Sequence, residues 1–163
     1  FGANVIHRPK NLATNKIVIE PTIKNAIDFI NKKYHIIVLL QPTSPLRKNS
    51  DIDNALDVFY HTKADSLMSA CKTSNFLWKR KKNKFYEPVN YNYLKRPRSQ
   101  NFFNYIEDGS IYILKLNTFL KYNNRLGKKI AIFETEDWQS LEIDTPNDFK
   151  KVEKTFKEKL KYK

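Results

Sequence analysis

The stretch Ile36-Ile37-Val38-Leu39-Leu40-Gln41-Pro42-Thr43-Ser44-Pro45-Leu46-Arg47 decides the fold of this chain. It opens with five consecutive large apolar residues, three of which are β-branched. Such a run predicts a strand that is buried on both faces. The polar segment that follows contains two prolines, which cannot continue a β-ladder and which restrict the neighbouring backbone. We therefore expect a buried strand that ends in a stiff polar loop.

That loop carries side chains suited to ligand binding. In open α/β sheets, ligands bind in the crevice beyond the carboxyl ends of the strands. Gln41, Thr43, Ser44 and Arg47 follow such a strand, so we expect them to contribute to a binding site. The alternative interpretation is a tight turn that only leads into the next helix.

The rest of the chain predicts alternating strands and helices. A short strand at residues 4–6 ends before Pro9 and leaves Arg8 near the same edge of the sheet. Helical spacing and capping residues predict helices at residues 19–30, after Ser50, near residues 118–122 and after Thr145. Apolar runs predict further strands at residues 64–71, 110–114, 129–134 and 139–143. The pattern indicates a single α/β domain over residues 1–163 with a mostly parallel sheet.

The composition indicates a globular protein. The chain has 163 residues, of which 40% are hydrophobic, and this is enough to fill the core of one domain. Its longest apolar run is five residues, far short of the roughly 20 that span a bilayer. The single cysteine, Cys71, excludes an internal disulfide, and the three histidines are too scattered for a zinc cluster. We therefore expect a cytoplasmic protein with no membrane partner.

The net charge of +13 restricts the class of partner without choosing among its members. A basic protein of this kind can bind nucleic acid, an acidic surface or small anionic substrates. Lysines are spread over the whole length, so solvated faces account for most of the excess.

Residues 73–105 form a segment of different composition, in which aromatic residues alternate with cationic ones. Such a segment can stack bases and bind phosphates, which makes nucleic-acid binding one interpretation. Residues 76–79 and 84–89 also predict a hairpin that buries its rings against the body of the protein or a second subunit. We favour the hairpin, because the segment contains no recognised nucleic-acid module.

Two carboxylates follow each other closely in Leu141-Glu142-Ile143-Asp144. Residues two apart on a strand point to the same face, so Glu142 and Asp144 are expected to project together. A divalent cation that takes further ligands from phosphate oxygens would join them, as magnesium does in many phosphate-binding sites. The alternative is a solvent-facing acid followed by a residue that caps the last helix.

Several of these motifs together resemble one family. They are Arg8-Pro9 with Leu12-Ala13, Leu39-Leu40-Gln41-Pro42-Thr43-Ser44-Pro45-Leu46-Arg47, Arg98 with Gln100, Gly109-Ser110-Ile111-Tyr112 and Glu142-Ile143-Asp144-Thr145. In this order and spacing they resemble the acylneuraminate cytidylyltransferases, which are the CMP-sialic acid synthetases and their relatives that act on legionaminic or pseudaminic acid. The Gln-Pro-Thr-Ser-Pro-Leu-Arg block is the most specific, and the resemblance covers essentially the whole chain.

The resemblance implies a three-layer α/β/α nucleotidyltransferase-like (Rossmann-like) fold. It also implies that residues 73–105 form a small arm for dimerisation and sugar binding in a homodimer. The implied reaction is transfer of CMP from CTP to the anomeric hydroxyl of an acidic nine-carbon sugar, with Mg²⁺ and release of pyrophosphate. Such a reaction depends on alignment and charge neutralisation.

The resemblance also implies a role for individual residues. Gln41 would hydrogen-bond the sugar, and Tyr112 would line its pocket. Arg98 would hold the sugar carboxylate or a phosphate, Glu142 and Asp144 would carry the metal, and Arg98 and Asp144 would be the catalytic residues. The remaining substrate-binding candidates are Thr43, Ser44, Gln100 and, as supporting groups, Arg8 and Arg47.

The chain departs from the family pattern in three ways. Glu142 stands where the family usually has aspartate, and Asn101-Phe102-Phe103 replaces the usual Asp-x-Pro after Gln100. The basic, glycine-containing loop that grips CTP in the family lies upstream of Phe1, so we expect this chain to be a partial form with little activity of its own. A basic nucleic-acid-binding domain and a non-catalytic dimerising remnant are the rival interpretations.

Overall fold

Four strands form the central sheet in the computed structural model, which describes residues 2–14, 16–30, 34–82 and 84–160. Their order across the sheet is β1 (Ile36–Leu40), β5 (Asn104–Lys115), β2 (Ser66–Thr73) and β6 (Ile130–Thr135). Strands β1, β2 and β6 run in the same direction, and β5 runs antiparallel to its two neighbours, β1 and β2. The mostly parallel α/β sheet predicted from the sequence is confirmed, with the predicted strand at residues 110–114 lying in the reversed strand.

Helices cover both faces of this sheet. The helix α2 (Asp51–Thr62) packs Ala55 and Phe59 onto one face, where they meet Ile111 and Ile113 of β5. On the other face, Ile23 of α1 (Glu20–Ile30) and Phe119 of α3 (Leu116–Tyr122) enclose Leu114. Successive residues of a strand point to opposite faces, so β5 supplies both cores. The result is a three-layer α/β/α arrangement.

Two elements complete the described part of the chain. A hairpin of β3 (Trp78–Arg80) and β4 (Tyr86–Pro88) forms a separate two-stranded sheet, as the aromatic segment predicts. The closing helix α4 (Pro146–Lys159) begins at Thr145, whose hydroxyl accepts a hydrogen bond from the Asp148 backbone N–H. None of the helices in the described residues combines the length and apolar character that crossing a bilayer requires.

The strand β1 is less buried than its sequence predicts. It lies at an edge of the sheet and pairs with β5 alone. Consequently Val38 is 39% exposed and Leu40 is 37% exposed, and an apolar groove of about 360 Å³ runs between α1 and this strand. The prediction of burial on both faces was wrong, because an apolar run does not reveal how many neighbours a strand has.

Two other predicted strands are absent from the described structure. Residues 4–6 adopt no regular structure, and Val5 is 75% exposed because no strand lies beside it. Residues 139–143 were also predicted as a strand, but Asp137–Ser140 is a 3-10 helix and the segment after it is irregular. There the backbone N–H of Ile143 donates to the carbonyl of Thr43, 2.8 Å away, instead of joining the sheet. This single bond brings the acidic segment to the polar loop after β1.

Candidate functional site

A bulge in β5 lies at the edge of the sheet where β1 ends. The register between β2 and β5 shifts between the pairs Met68–Tyr112 and Ala70–Glu107, so that residues 108–111 of β5 lie opposite Ser69 alone. Bulges of this kind redirect the chain and are common beside active sites. Here the bulge contains Gly109, whose φ of 68° lies in the left-handed region that glycine adopts without strain.

Buried polar groups fill this bulge. The carboxylate of Asp108 is 1% exposed and accepts hydrogen bonds from the Ser69 hydroxyl, from the Thr135 hydroxyl at 2.5 Å and from the Ser110 backbone N–H at 3.0 Å. The Ser69 hydroxyl oxygen in turn accepts from the backbone N–H of Ile111 at 2.8 Å. Three strands are therefore joined through one carboxylate.

Three oxygen-bearing side chains converge on Gly109. A Cβ atom placed on this glycine would lie 2.6 Å from Gln41 Oε1, 2.7 Å from Glu142 Oε1 and 3.1 Å from Ser44 Oγ. The Ser44 hydroxyl also donates to Glu142 Oε1 over 3.4 Å. The structure thus brings together three of the residues that the sequence predicted for one site, although Glu142 is 98 positions from Ser44.

Arg47 joins the polar loop after β1 to the strand β5. Its Nη1 donates to the Ser44 carbonyl at 2.6 Å, and to the carbonyl and hydroxyl oxygens of Ser110 at 3.1 and 3.2 Å. Burial lowers the pKa of the Arg47 guanidinium, while Asp51 and Asp108 oppose that shift. With its Nη1 engaged by the backbone and by Ser110, Arg47 has a geometry that supports the loop.

The acidic pair has the donor chemistry of a magnesium site. Glu142 and Asp144 are both exposed, and Asp144 accepts no hydrogen bond from any residue in the described ranges. The described residues contain no group of three or more acidic, histidine or cysteine side chains arranged to hold a metal. Two carboxylates and a hydroxyl fit a hard cation that completes its shell with water and phosphate oxygens. The strand that would point Glu142 and Asp144 to the same face is absent, so binding of Mg²⁺ by this pair stays a prediction.

Other predicted residues are exposed, and their side chains make no hydrogen bond to Gln41, Ser44 or Glu142 within the described part of the chain. The side chains of Thr43 and Arg8 are exposed. Arg98 is also exposed and precedes the 3-10 turn Ser99–Asn101. Gln100 of that turn lines a cavity of about 460 Å³ with Lys72, which lies near the carboxyl end of β2, and Asp137, which follows β6. The roles suggested for these residues remain predictions.

Tyr112 contacts a charged network instead of an open pocket. It is 2% exposed, its hydroxyl donates to Glu107, and the Arg125 guanidinium lies 4.8 Å from the centre of its ring. Burial, followed by the hydrogen bond to Glu107, raises the pKa of Tyr112. Arg125 also pairs with the buried Glu20 at 3.1 Å. The predicted sugar contact of Tyr112 would need this network to rearrange.

Sequence reasoning missed Asp108 and Arg125. Asp108 lies in the triplet Glu107-Asp108-Gly109, which has the composition of an exposed turn. Arg125 lies in a polar loop after α3. The sequence contains no periodicity that would predict the burial of either side chain, because their partners are distant along the chain.

Several aromatic rings of the arm at residues 73–105 pack against one another. Phe76 stacks on Phe102 with centroids 4.7 Å apart and meets Tyr91 edge-on at 4.6 Å. The Arg96 guanidinium lies 3.9 Å from the Phe76 ring centre and donates to the Tyr91 hydroxyl. These groups are engaged with one another, so the arrangement does not favour nucleic-acid binding. Trp78 remains 49% exposed on the hairpin.

Comparisons with known proteins agree with this fold. No protein-family model matches the chain. Post-translational flagellin modification protein B of Campylobacter coli is 24% identical over 173 residues, which cover 98% of this chain and 71% of that protein. N-acylneuraminate cytidylyltransferase of Escherichia coli O18:K1:H7 (strain RS218 / NMEC) is 27% identical over 158 residues, which cover 91% of this chain and 36% of that enzyme. This chain therefore spans about a third of the length of the E. coli enzyme.

A solved structure shares the fold. It is the crystal structure of 4-diphosphocytidyl-2C-methyl-D-erythritol synthase from Anaerococcus prevotii DSM 20548, with a TM-score of 0.57, 9% identity and coverage of 80% of this chain and 63% of that chain. The chain thus shares the fold of that cytidylyltransferase. The resemblance to the acylneuraminate cytidylyltransferases is confirmed, since an enzyme of that name matches over most of this chain.

Proposed function

We propose that this chain carries the sugar- and metal-binding part of a cytidylyltransferase for sialic-acid-like nonulosonic acids. The reaction transfers CMP from CTP to the anomeric hydroxyl of N-acetylneuraminate, legionaminate or pseudaminate and releases pyrophosphate. The observation that supports it best is the convergence of Gln41, Ser44 and Glu142 on Gly109. This convergence lies beyond the carboxyl end of β1, where open α/β sheets bind ligands.

Each residue of the site has a proposed role that follows from its chemistry. Gln41 carries an amide that can both donate to and accept from sugar hydroxyls. Glu142 and Asp144 would hold Mg²⁺, which when bound neutralises charge on the phosphates. Arg98 offers a guanidinium that suits a carboxylate or a phosphate. Arg47 holds the loop in place through Ser44 and Ser110, so the alignment of the reacting groups depends on it.

The charge of the chain suits these substrates. A net charge of +13 raises the local concentration of anions and accelerates their encounter with the protein. CTP and a nonulosonic acid are both anionic. A homodimer formed through the arm at residues 73–105 is part of the proposal.

The proposal is tested by turnover and by ligand-dependent stability. The protein is mixed with CTP, Mg²⁺ and each of the three acids, and pyrophosphate release is followed, with UTP as the nucleotide control. In parallel, the thermal midpoint is measured with each acid and Mg²⁺, because a ligand that binds only the folded state raises it. We expect at least one acid to raise the midpoint, and we expect Asp144→Asn to remove the part of the increase that depends on Mg²⁺.

The outcomes separate the rival interpretations. No stabilisation by any acid, together with no pyrophosphate release, would contradict the proposal. Stabilisation without turnover would support the binding part of the proposal and contradict catalysis by this chain alone, whereas turnover would support both. Salt-sensitive binding of an oligonucleotide that is lost in the double variant Arg96→Ala and Arg98→Ala would favour the nucleic-acid interpretation.

A further inference from the structure

Asp108 holds the backbone on which the candidate site is assembled. Its carboxylate accepts the Ser110 backbone N–H at 3.0 Å, and Arg47 donates to the carbonyl and hydroxyl oxygens of the same serine. Ser110 is therefore fixed from two sides by groups of opposite charge. Gly109 lies between Asp108 and Ser110, so its left-handed conformation is fixed with them.

The site depends on that conformation. Gln41 Oε1 and Glu142 Oε1 lie within 2.7 Å of the position that a Cβ on Gly109 would take. They can approach the backbone this closely only where the bulge presents the bare Cα of glycine to them. A bulge that relaxed towards a regular strand would rotate this surface, since a shift of one residue reverses the face to which a side chain points.

We propose that Asp108 is a positioning residue of the site, acting through the bulge at Gly109 on the placement of Gln41 and Glu142. This role rests on the proposed function. Asp108 itself is 1% exposed, so its carboxylate is not open to a ligand from solvent. Its three hydrogen-bond donors come from β2, β5 and β6, so that its loss would leave unpaired groups in all three strands.

The chemistry of the carboxylate suggests a graded set of variants. The Asp108 carboxylate accepts from two hydroxyls and one backbone N–H, whereas an asparagine has one acceptor oxygen and an amide nitrogen that must donate. Asp108→Asn should therefore keep part of the network, and Asp108→Ala should remove all of it. Asp65→Asn is the matched control, because Asp65 accepts from the Lys129 backbone N–H at 3.2 Å near the opposite edge of the sheet.

The test combines two readouts. Hydrogen exchange of the Ser110 and Ile111 amides reports on the bulge without any substrate, and kcat and KM report on the site. We expect exchange to accelerate from wild type to Asp108→Asn to Asp108→Ala, and kcat/KM to fall in the same order, by about 10- to 100-fold for the alanine variant. Asp65→Asn should change neither amide exchange nor kcat, even where it lowers the thermal midpoint.

Each result decides the proposal. If Asp108→Ala does not fold, Asp108→Asn decides alone, with faster Ser110 exchange and reduced kcat as the supporting result. Unchanged exchange and kcat in a variant whose thermal midpoint is lowered would overturn the proposal, because the role would then be one of stability only. If the wild type binds an acid without turnover, the rise in thermal midpoint with that acid replaces kcat as the measure of the site. Absence of both turnover and stabilisation in the wild type would instead count against the proposed function, and the exchange data would still show whether Asp108 holds the bulge.

Discussion

At the scale of the single residue, Gly109 imposes the strictest requirement in the site. A φ of 68° places it in the left-handed region, and its Cα faces the oxygens of Gln41, Ser44 and Glu142. Either condition alone favours glycine. A side chain at position 109 would therefore strain the backbone and would also meet the side chains of Gln41, Ser44 and Glu142.

Gly109→Ala is expected to damage the site more than the fold. A non-glycine residue in the left-handed region costs about 1–2 kcal/mol, which should appear as a lower free energy of unfolding. The new methyl group would displace Gln41 and Glu142, because their flexible side-chain ends lie 2.6 and 2.7 Å away. We expect turnover to fall by about 10- to 100-fold, as measured by pyrophosphate release.

The control for this substitution is Gly2→Ala. Gly2 has a similar φ of 75°, but nothing lies within 4 Å of its Cβ position. The Gly2→Ala variant should show no loss of turnover. Equal activity losses in the two variants would contradict the steric explanation at Gly109.

At the scale of the element, the closing helix α4 illustrates how local sequence predicts structure. Thr145 accepts the Asp148 backbone N–H at 3.3 Å, and its own N–H and hydroxyl donate to the Asp148 carboxylate at 3.1 and 2.7 Å. This is a complete capping box. The hydrogen bond from the Thr145 hydroxyl is the main cause that lowers the pKa of Asp148 below its ordinary 3.8.

Thr145→Ala is expected to lower the free energy of unfolding by about 1 kcal/mol near neutral pH. The folded-state pKa of Asp148 is lowered, so the stability linked to its ionised form is present above pH 3.8 and is lost as the pH falls through the folded-state value. The difference between wild type and variant should therefore narrow below pH 3.8. Urea unfolding at a series of pH values measures it, and a constant difference in acid would contradict the linkage to Asp148.

The elements that the sequence predicts well are those whose signals are local. The helix α2, the hairpin and the cap at Thr145 follow from spacing and turn residues within a few positions. The predicted strand at residues 139–143 was wrong. Leu141 and Ile143 alternate with polar residues, as they would in a strand, but this segment pairs with no strand of the described sheet. The placement of Glu142 beside Ser44 instead depends on the bond between Ile143 and Thr43, which local patterns do not reveal.

Local sequence patterns also reveal only part of the candidate site. The Gln41 loop and the acidic pair are recognisable because they are short motifs in one stretch each. Asp108 is not recognisable from the sequence, since its partners Ser69 and Thr135 lie 39 and 27 positions away. The burial that makes Asp108 important arises only when β2, β5 and β6 pair.

At the scale of the whole molecule, the hairpin of the arm presents large rings to solvent. Phe85 is 69% exposed, Tyr86 is 62% exposed and Trp78 is 49% exposed. Lys79 and Lys81 beside them pair with Glu87 at 3.1 and 2.8 Å, which reduces the repulsion between two copies of this basic chain. Exposed aromatic patches with polar rims are typical of protein interfaces.

We therefore expect the protein to form a homodimer through this hairpin. Sedimentation velocity should show a dimer, and the double variant Trp78→Lys and Tyr86→Lys should weaken it by about 10-fold or more, because buried aromatic anchors dominate interface energies. Phe149→Lys is the control, since Phe149 is a comparably exposed ring (56%) on α4, outside the arm. A monomeric wild type, or equal dissociation in the control, would show that the arm is not the interface. The hairpin forms its own two-stranded sheet, so the double variant should keep the thermal midpoint of the α/β/α body.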